Sequence, residues 1–167
     1  MVSSEHIRHY DGPNPIDLVE ELAANNSWDF DRLNDDQIVM NVEALWRNYS
    51  ITLALSSREE ILKLACSFEI APLKTTSQKI YETLNFINDF IWTGTFTYTA
   101  SKNLIIYRYG LVLNDDAEVN DSQIDQILCD AINYCDGFYP SLQKVVWGGE
   151  KPSNAVGIAM MMPQGEA

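Results

Sequence analysis

The stretch from Ser77 to Leu113, SQKIYETLNFINDFIWTGTFTYTASKNLIIYRYGLVL, constrains the fold more than any other part of the chain. Advanced at ~100° per residue, Ile80, Leu84, Ile87 and Ile91 form a seam, with Tyr81 and Trp92 beside it on one flank and Phe86 and Phe90 on the other. Only Glu82, Asn85 and Asp89 make a coherent polar strip. A surface helix carries an apolar stripe of ~100° or somewhat more, and this one is about twice as wide. The spacing therefore predicts a helix covered on two sides, by a sheet and by another helix, a second copy or a partner chain. After Gly94 the period changes to two: Phe96 and Tyr98 alternate with threonines, and Ser101–Asn103 turns the chain. Leu104–Leu113 is apolar on both faces apart from Arg108 and Gly110. Such a strand is expected to be covered on both.

The remaining segments fit around that unit. Asn14 followed by Pro15 is a helix start, an N-cap side chain and then proline at the first helical position. Ile16, Leu18, Val19, Leu22 and Ala23 gather on one side of this helix, and Asn25–Asn26 ends it. Trp28, Phe30 and Arg32 form a short extended piece before a turn at Asn34–Asp36. Three half-buried strands follow. Their apolar faces carry Ile38, Met40 and Val42, then Tyr49, Ile51, Leu53 and Leu55, then Leu62, Leu64, Cys66, Phe68 and Ile70. Asp121–Phe138 is an amphipathic helix that Pro140 is expected to stop. Gly148–Gly149 breaks the apolar run Leu142–Trp147, and Ser153 is expected to cap a last short helix, Asn154–Met162.

This order predicts an α+β domain, an antiparallel sheet made of a three-strand meander plus a two-strand hairpin, with helices packed on one face. Residues 1–13 read as a flexible arm, 14–162 as the single domain and 163–167 as a tail.

Charge and residue inventory restrict the function. The net charge is −13, and the eleven Lys and Arg are scattered. A phosphate-binding surface needs them clustered, so neither nucleic acid nor a membrane surface is an expected partner. The opening residues hold no apolar run of a signal segment, no stretch reaches the ~18 apolar residues of a span, and Cys66, Cys129 and Cys135 lack CxxC spacing. A soluble cytoplasmic protein with free thiols is the expectation.

The chemistry-bearing patterns are weak. His6 and His9 are the only histidines and stand in the arm, which leaves no base for a cysteine nucleophile and no metal set. Asn114, Asp116 and Glu118 echo a calcium loop, but Val119 replaces its glycine and Asp125 its final glutamate. Trp147–Lys151 has two glycines and a lysine without a phosphate-loop spacing. Asp29, Asp31, Asp35 and Asp36 cluster, as acids do on the surface of a chain with 24 of them. A non-enzymatic protein without catalytic residues, metal or cofactor is expected.

The segments NPIDLVEELAANNSWDFDRLNDDQIVMNVEALWRNYSITLALS, LKLACSFEI and FYPSLQKVVWGG-KPSNAV resemble the YbjN-type family of bacterial sensory transduction regulators, from about Asn14 to Val156. The resemblance implies a fold similar to the type III secretion chaperones and a role as a regulator or chaperone-like binder. It brings no catalytic residues. Its last helix is more apolar and less acidic than the resemblance implies.

Together these readings predict a homodimer that binds a protein client. The expected contact residues are Tyr81, Phe86, Ile87, Phe90, Trp92, Ile106, Arg108, Met160 and Met161. The alternative is a small-molecule sensor with a pocket between helix and sheet lined by Trp28, Tyr107, Tyr109 and Trp147.

Overall fold

The start of the first helix follows from its side-chain chemistry. Asn14 Oδ1 accepts from the Ile16 amide at 2.9 Å and its Nδ2 donates to the Asp35 carbonyl at 2.7 Å, so one residue caps a helix and ties it to a turn. The structure, a computed structural model, describes residues 12–70, 77–113 and 119–161, with the Met161 side chain left out. Most of the arm, the first five residues of the calcium-loop echo (114–118) and the tail lie outside the described residues. The elements are α1 (Pro15–Asn25), β1 (Asp29–Asn34), β2 (Gln37–Glu43), β3 (Asn48–Ser56), β4 (Ile61–Glu69), α2 (Ser77–Asn88), β5 (Thr95–Thr99), β6 (Leu104–Val112), α3 (Asp121–Val146) and α4 (Pro152–Met161).

The architecture is α+β. One antiparallel sheet has the order β1-β2-β3-β4-β6-β5, so the hairpin joins the meander through β6. Asp29–Asn34 pairs with β2, its register shifting between Arg32 and Asn34, and makes the meander four strands rather than three. Phe30, Met40, Ile51, Cys66, Tyr107 and Phe96 form a cross-strand row on the inner face. The helices cover this face: α1 lies over β1–β3, α3 over β4 and β6, and α2 over β5. On the other face the matching row is Asp31, Val39, Thr52, Ala65, Arg108 and Thr95, mostly small or polar, with no helix of the described residues against it. Among the described residues β6 is therefore covered on one face only, and Arg108 and Val112 are exposed.

Three boundaries differ from the sequence reading. The helix α2 ends at Asn88, whose side chain turns to the next strand: Nδ2 donates to the Phe96 carbonyl at 3.1 Å and Oδ1 accepts from the Phe96 amide at 2.8 Å. Phe90, Ile91 and Trp92 thus lie beyond the helix. The wide apolar stripe is a helical seam plus a turn laid over one wheel. Pro140 does not stop α3, which continues to Val146. A proline inside a helix costs ~3 kcal/mol, whereas burying a Leu or Val side chain gains ~1.5–3 kcal/mol. Leu142, Val145 and Val146, all buried, outweigh it together. Finally, α4 begins at Pro152, one residue before the expected cap Ser153.

Tyr107 closes the core beneath the hairpin. Its ring meets Phe96 at 5.3 Å and Tyr134 at 5.7 Å between centroids, and its hydroxyl donates to the Thr93 carbonyl at 3.3 Å. Gly94 leaves the room for this: a Cβ there would overlap the end of the phenol. Gly94→Ala is expected to lower stability by about 1–3 kcal/mol, seen as a lower urea midpoint at unchanged slope. An unchanged midpoint would mean that Tyr107 is free to retreat.

Candidate functional site

Two features stand out once the core is accounted for, a cleft at one end of the sheet and a set of exposed apolar side chains. The cleft begins at the turn between β2 and β3. That turn is closed by the Ala44 amide donating to the Arg47 carbonyl at 3.0 Å. It is fixed to α3 by one carboxylate: Asp136 Oδ1 accepts from the Trp46 amide and from the buried Tyr49 hydroxyl, both at 3.0 Å. Burial, reinforced by Asp136, holds the Tyr49 phenol far above its ordinary value near 10.

Arg47 leaves this turn and crosses to the end of β4. Its Nη1 donates to the Glu69 carbonyl at 2.7 Å and its Nε to the Asn48 carbonyl at 3.3 Å. Its guanidinium carbon lies 5.4 Å from the ring centroids of both Phe68 and Tyr139, a stacked position of the cation–π kind. Ile70, Leu142, Gln143 and Trp147 complete the walls of a cavity of about 220 Å³. Gln143 Nε2 donates to the Tyr139 hydroxyl at 2.9 Å. Of the pocket residues expected from sequence only Trp147 lines this cavity. Tyr107 is in the core, and Trp28 and Tyr109 are partly buried against it. Arg47 and Tyr139 lie on segments far apart in the chain, and no local pattern marks them as neighbours.

The second feature follows the end of α2. Trp92 is 95 % exposed, and Phe90 and Tyr81 are each 49 % exposed. Tyr81 packs edge-on against Tyr98 of β5, with ring centroids 5.6 Å apart. Met160 on α4 is 48 % exposed, while Ala155 and Val156 face inward and Ser141 Oγ of α3 donates to the Ala155 carbonyl at 2.9 Å. The expected contact residues thus fall on separate surfaces. Tyr81, Phe90, Trp92 and Met160 are exposed outside the sheet, Phe86 is half-buried, and Ile106 and Arg108 lie on the open sheet face. Ile87 is fully buried and serves the core.

The described residues hold no group of acids, histidines and cysteines arranged for a metal ion. Asp29 and Asp31 stand exposed on the edge strand β1, and Arg32 engages Asp17 at 2.6 Å and Glu20 at 2.7 Å. Cys66 and Cys135 are buried, and burial pushes the Cys135 thiol well up. No helix among the described residues is long and apolar enough to cross a membrane.

Residues 15–144 match the model of the YbjN family, described as "putative bacterial sensory transduction regulator". The chain belongs to the YbjN family. The match takes in α1, the whole sheet, α2 and most of α3, and it ends before Val145–Gly149 and α4. Arg47, Asp136, Tyr139 and Gln143 lie inside the YbjN region, and Trp147 and Met160 lie beyond it. No curated protein and no solved structure matches the chain.

Two buried phenols make stability depend on alkaline pH. Tyr107 is pushed up to about 12 by burial, and Tyr49 is raised further. A raised phenol value means that the unfolded state releases its proton first. The stabilisation is therefore intact below pH ~10 and lost as pH rises above it, at most by about 1.4 kcal/mol per pH unit for each group. Urea midpoints are expected to fall above pH ~10. Tyr107→Phe, compared with its own neutral-pH midpoint, should fall less steeply, and parallel curves would place the effect elsewhere.

Proposed function

We propose that this YbjN-family regulator works in the cytoplasm as a homodimer that binds another protein, without catalysing a reaction. The observation that carries the reading is the exposure of Phe90 and Trp92 just after α2, with Tyr81 exposed earlier on the same helix. Large aromatic side chains dominate protein interfaces because each buries a wide area with few rotatable bonds. Phe90 and Trp92 on one short turn, Trp92 almost wholly in water, are what an unpaired interface presents. In this reading the segment forms the self-association surface. A chaperone-like hold on an extended or helical client is assigned to the open sheet face around Ile106 and Arg108 and to the end of α4 with Met160.

The sheet edges favour faces over strand addition. The outward amide and carbonyl of Phe96 are occupied by Asn88, and β1 at the other edge carries Asp29 and Asp31.

The test is solution mass by light scattering at tens of micromolar. Wild type is expected at twice the 18.9 kDa of the chain. The double variant Phe90→Asp/Trp92→Asp should run as the monomer with an unchanged circular dichroism spectrum. A wild-type monomer, or a dimer that survives the double variant, would remove the proposed surface. Ile87→Asp is not a usable probe, since it puts a charge into the core.

A further inference from the structure

We infer that the cleft lined by Arg47, Tyr139, Leu142, Gln143 and Trp147 is a binding site for a small carboxylate with an apolar body. This inference is independent of the dimer proposal. It starts from the way Arg47 is held. A guanidinium has five N–H donors. Two point to the Asn48 and Glu69 carbonyls, which leaves the far end of the fork, one N–H on Nη1 and both on Nη2, without an acceptor among the described residues. That end is the geometry that grips a carboxylate with two parallel hydrogen bonds.

An arginine that served only to tie the turn to β4 would be expected to take a neighbouring acid. The chain has 24 acids, and the two described cations that fix one element to another or brace a turn by ion pairing use them: Arg32 takes Asp17 and Glu20, and Lys63 takes Glu59, while the remaining described lysines and arginines make no ion pair among the described residues. Arg47 makes no ion pair among the described residues. Glu69 meets it through the backbone carbonyl, because alternation along β4 turns its side chain to the opposite face from Phe68. The positive charge is kept in place by two carbonyls and two aromatic rings and left uncompensated at the cavity.

The walls define the rest of the ligand. Ile70, Leu142 and the Trp147 ring offer apolar surface beside the charge. The cavity of about 220 Å³ equals about seven waters at ~30 Å³ each, and so admits a compound of about ten non-hydrogen atoms. Among the described residues the walls hold a single guanidinium and no second cation, which matches one negative charge and favours a carboxylate over a phosphate. The occupant is an aromatic or branched aliphatic monocarboxylate.

The experiment titrates the full chain calorimetrically with phenylacetate and 4-methylpentanoate, each against its neutral amide of the same shape. Wild type is expected to prefer each acid by about tenfold or more, since a charge-assisted pair is replaced by a neutral one. Arg47→Gln should lose the preference. As Arg47 also holds the turn, the second variant is Gln143→Glu, an exposed helix position whose new carboxylate competes for the guanidinium without touching the turn. It too should lose acid binding while keeping the wild-type melting temperature. Equal binding of acid and amide, no binding of either acid up to about 10 mM, or undiminished acid binding by Gln143→Glu would overturn the site.

Discussion

From β2 to β6 every strand sets its buried side chains on the same side of the sheet, and the rest of the structure is placed by the need to cover that side. The row from Phe30 to Phe96 crosses all six strands without a charged residue. At ~25 cal/mol per Å² removed from water, such a row decides where amphipathic helices go. The strand order sets which helix covers what. Because β6 lies between β4 and β5, α2 reaches β5 and α3 is left to bridge the centre. The outer face has no such demand. Its central residues Thr52, Ala65, Ser50 and Ser67 are too small to require a cover of their own.

The same economy governs the edges. An open strand edge invites pairing with another chain, and the two edges here are blunted differently. At β5 the side chain of Asn88 imitates a strand, giving Phe96 both a donor and an acceptor. That bond pair fixes the end of α2 against β5, and the chain leaves the helix through tighter turns, the Phe90 amide donating to the Ile87 carbonyl and the Ile91 amide to the Asn88 carbonyl. The exposed Phe90–Trp92 turn is a consequence. The chain has few residues in which to pass from Asn88 to Thr95, and burying Ile91 in the core leaves Phe90 and Trp92 on the outside.

Features with a local signal were legible in the sequence. The Asn14–Pro15 start, the alternating strands and the face of α3 up to Phe138 rest on neighbours within a few residues, and the structure has them. What escaped was settled by distant partners. Asp29–Asn34 read as a short extended piece because, as an edge strand, it exposes most of its residues, and only pairing with β2 makes it part of the sheet. The end of α2 depends on Phe96. The cleft had no signature at all, since Arg47, Glu69 and Tyr139 come from three separate elements. By contrast, the near-continuous apolarity of Leu104–Leu113 suggested cover on both faces that β6 does not have. Ile106 is half-buried by its neighbours in the sheet, without a second layer.

Pro140 connects these points. Had the helix ended there, as the residue alone dictates, Leu142 and Gln143 would have no fixed position opposite the β2–β3 turn, and Trp147 would not close the end of the cavity. The helix continues because its second half buries Leu142, Val145 and Val146, and Ser141 receives α4 through the Ala155 carbonyl. Asp136, at the carbonyl position that the proline leaves without its usual N–H donor, is also the residue that anchors Trp46 and Tyr49. Turn and helix are thus fixed to each other one turn before the proline, and Arg47 and Tyr139 face each other from the two fixed sides. The stacking of Arg47 on Tyr139 depends on that clamp. The cleft is a product of packing energy overriding a local breaker, which is why its residues could be placed only once the fold was known.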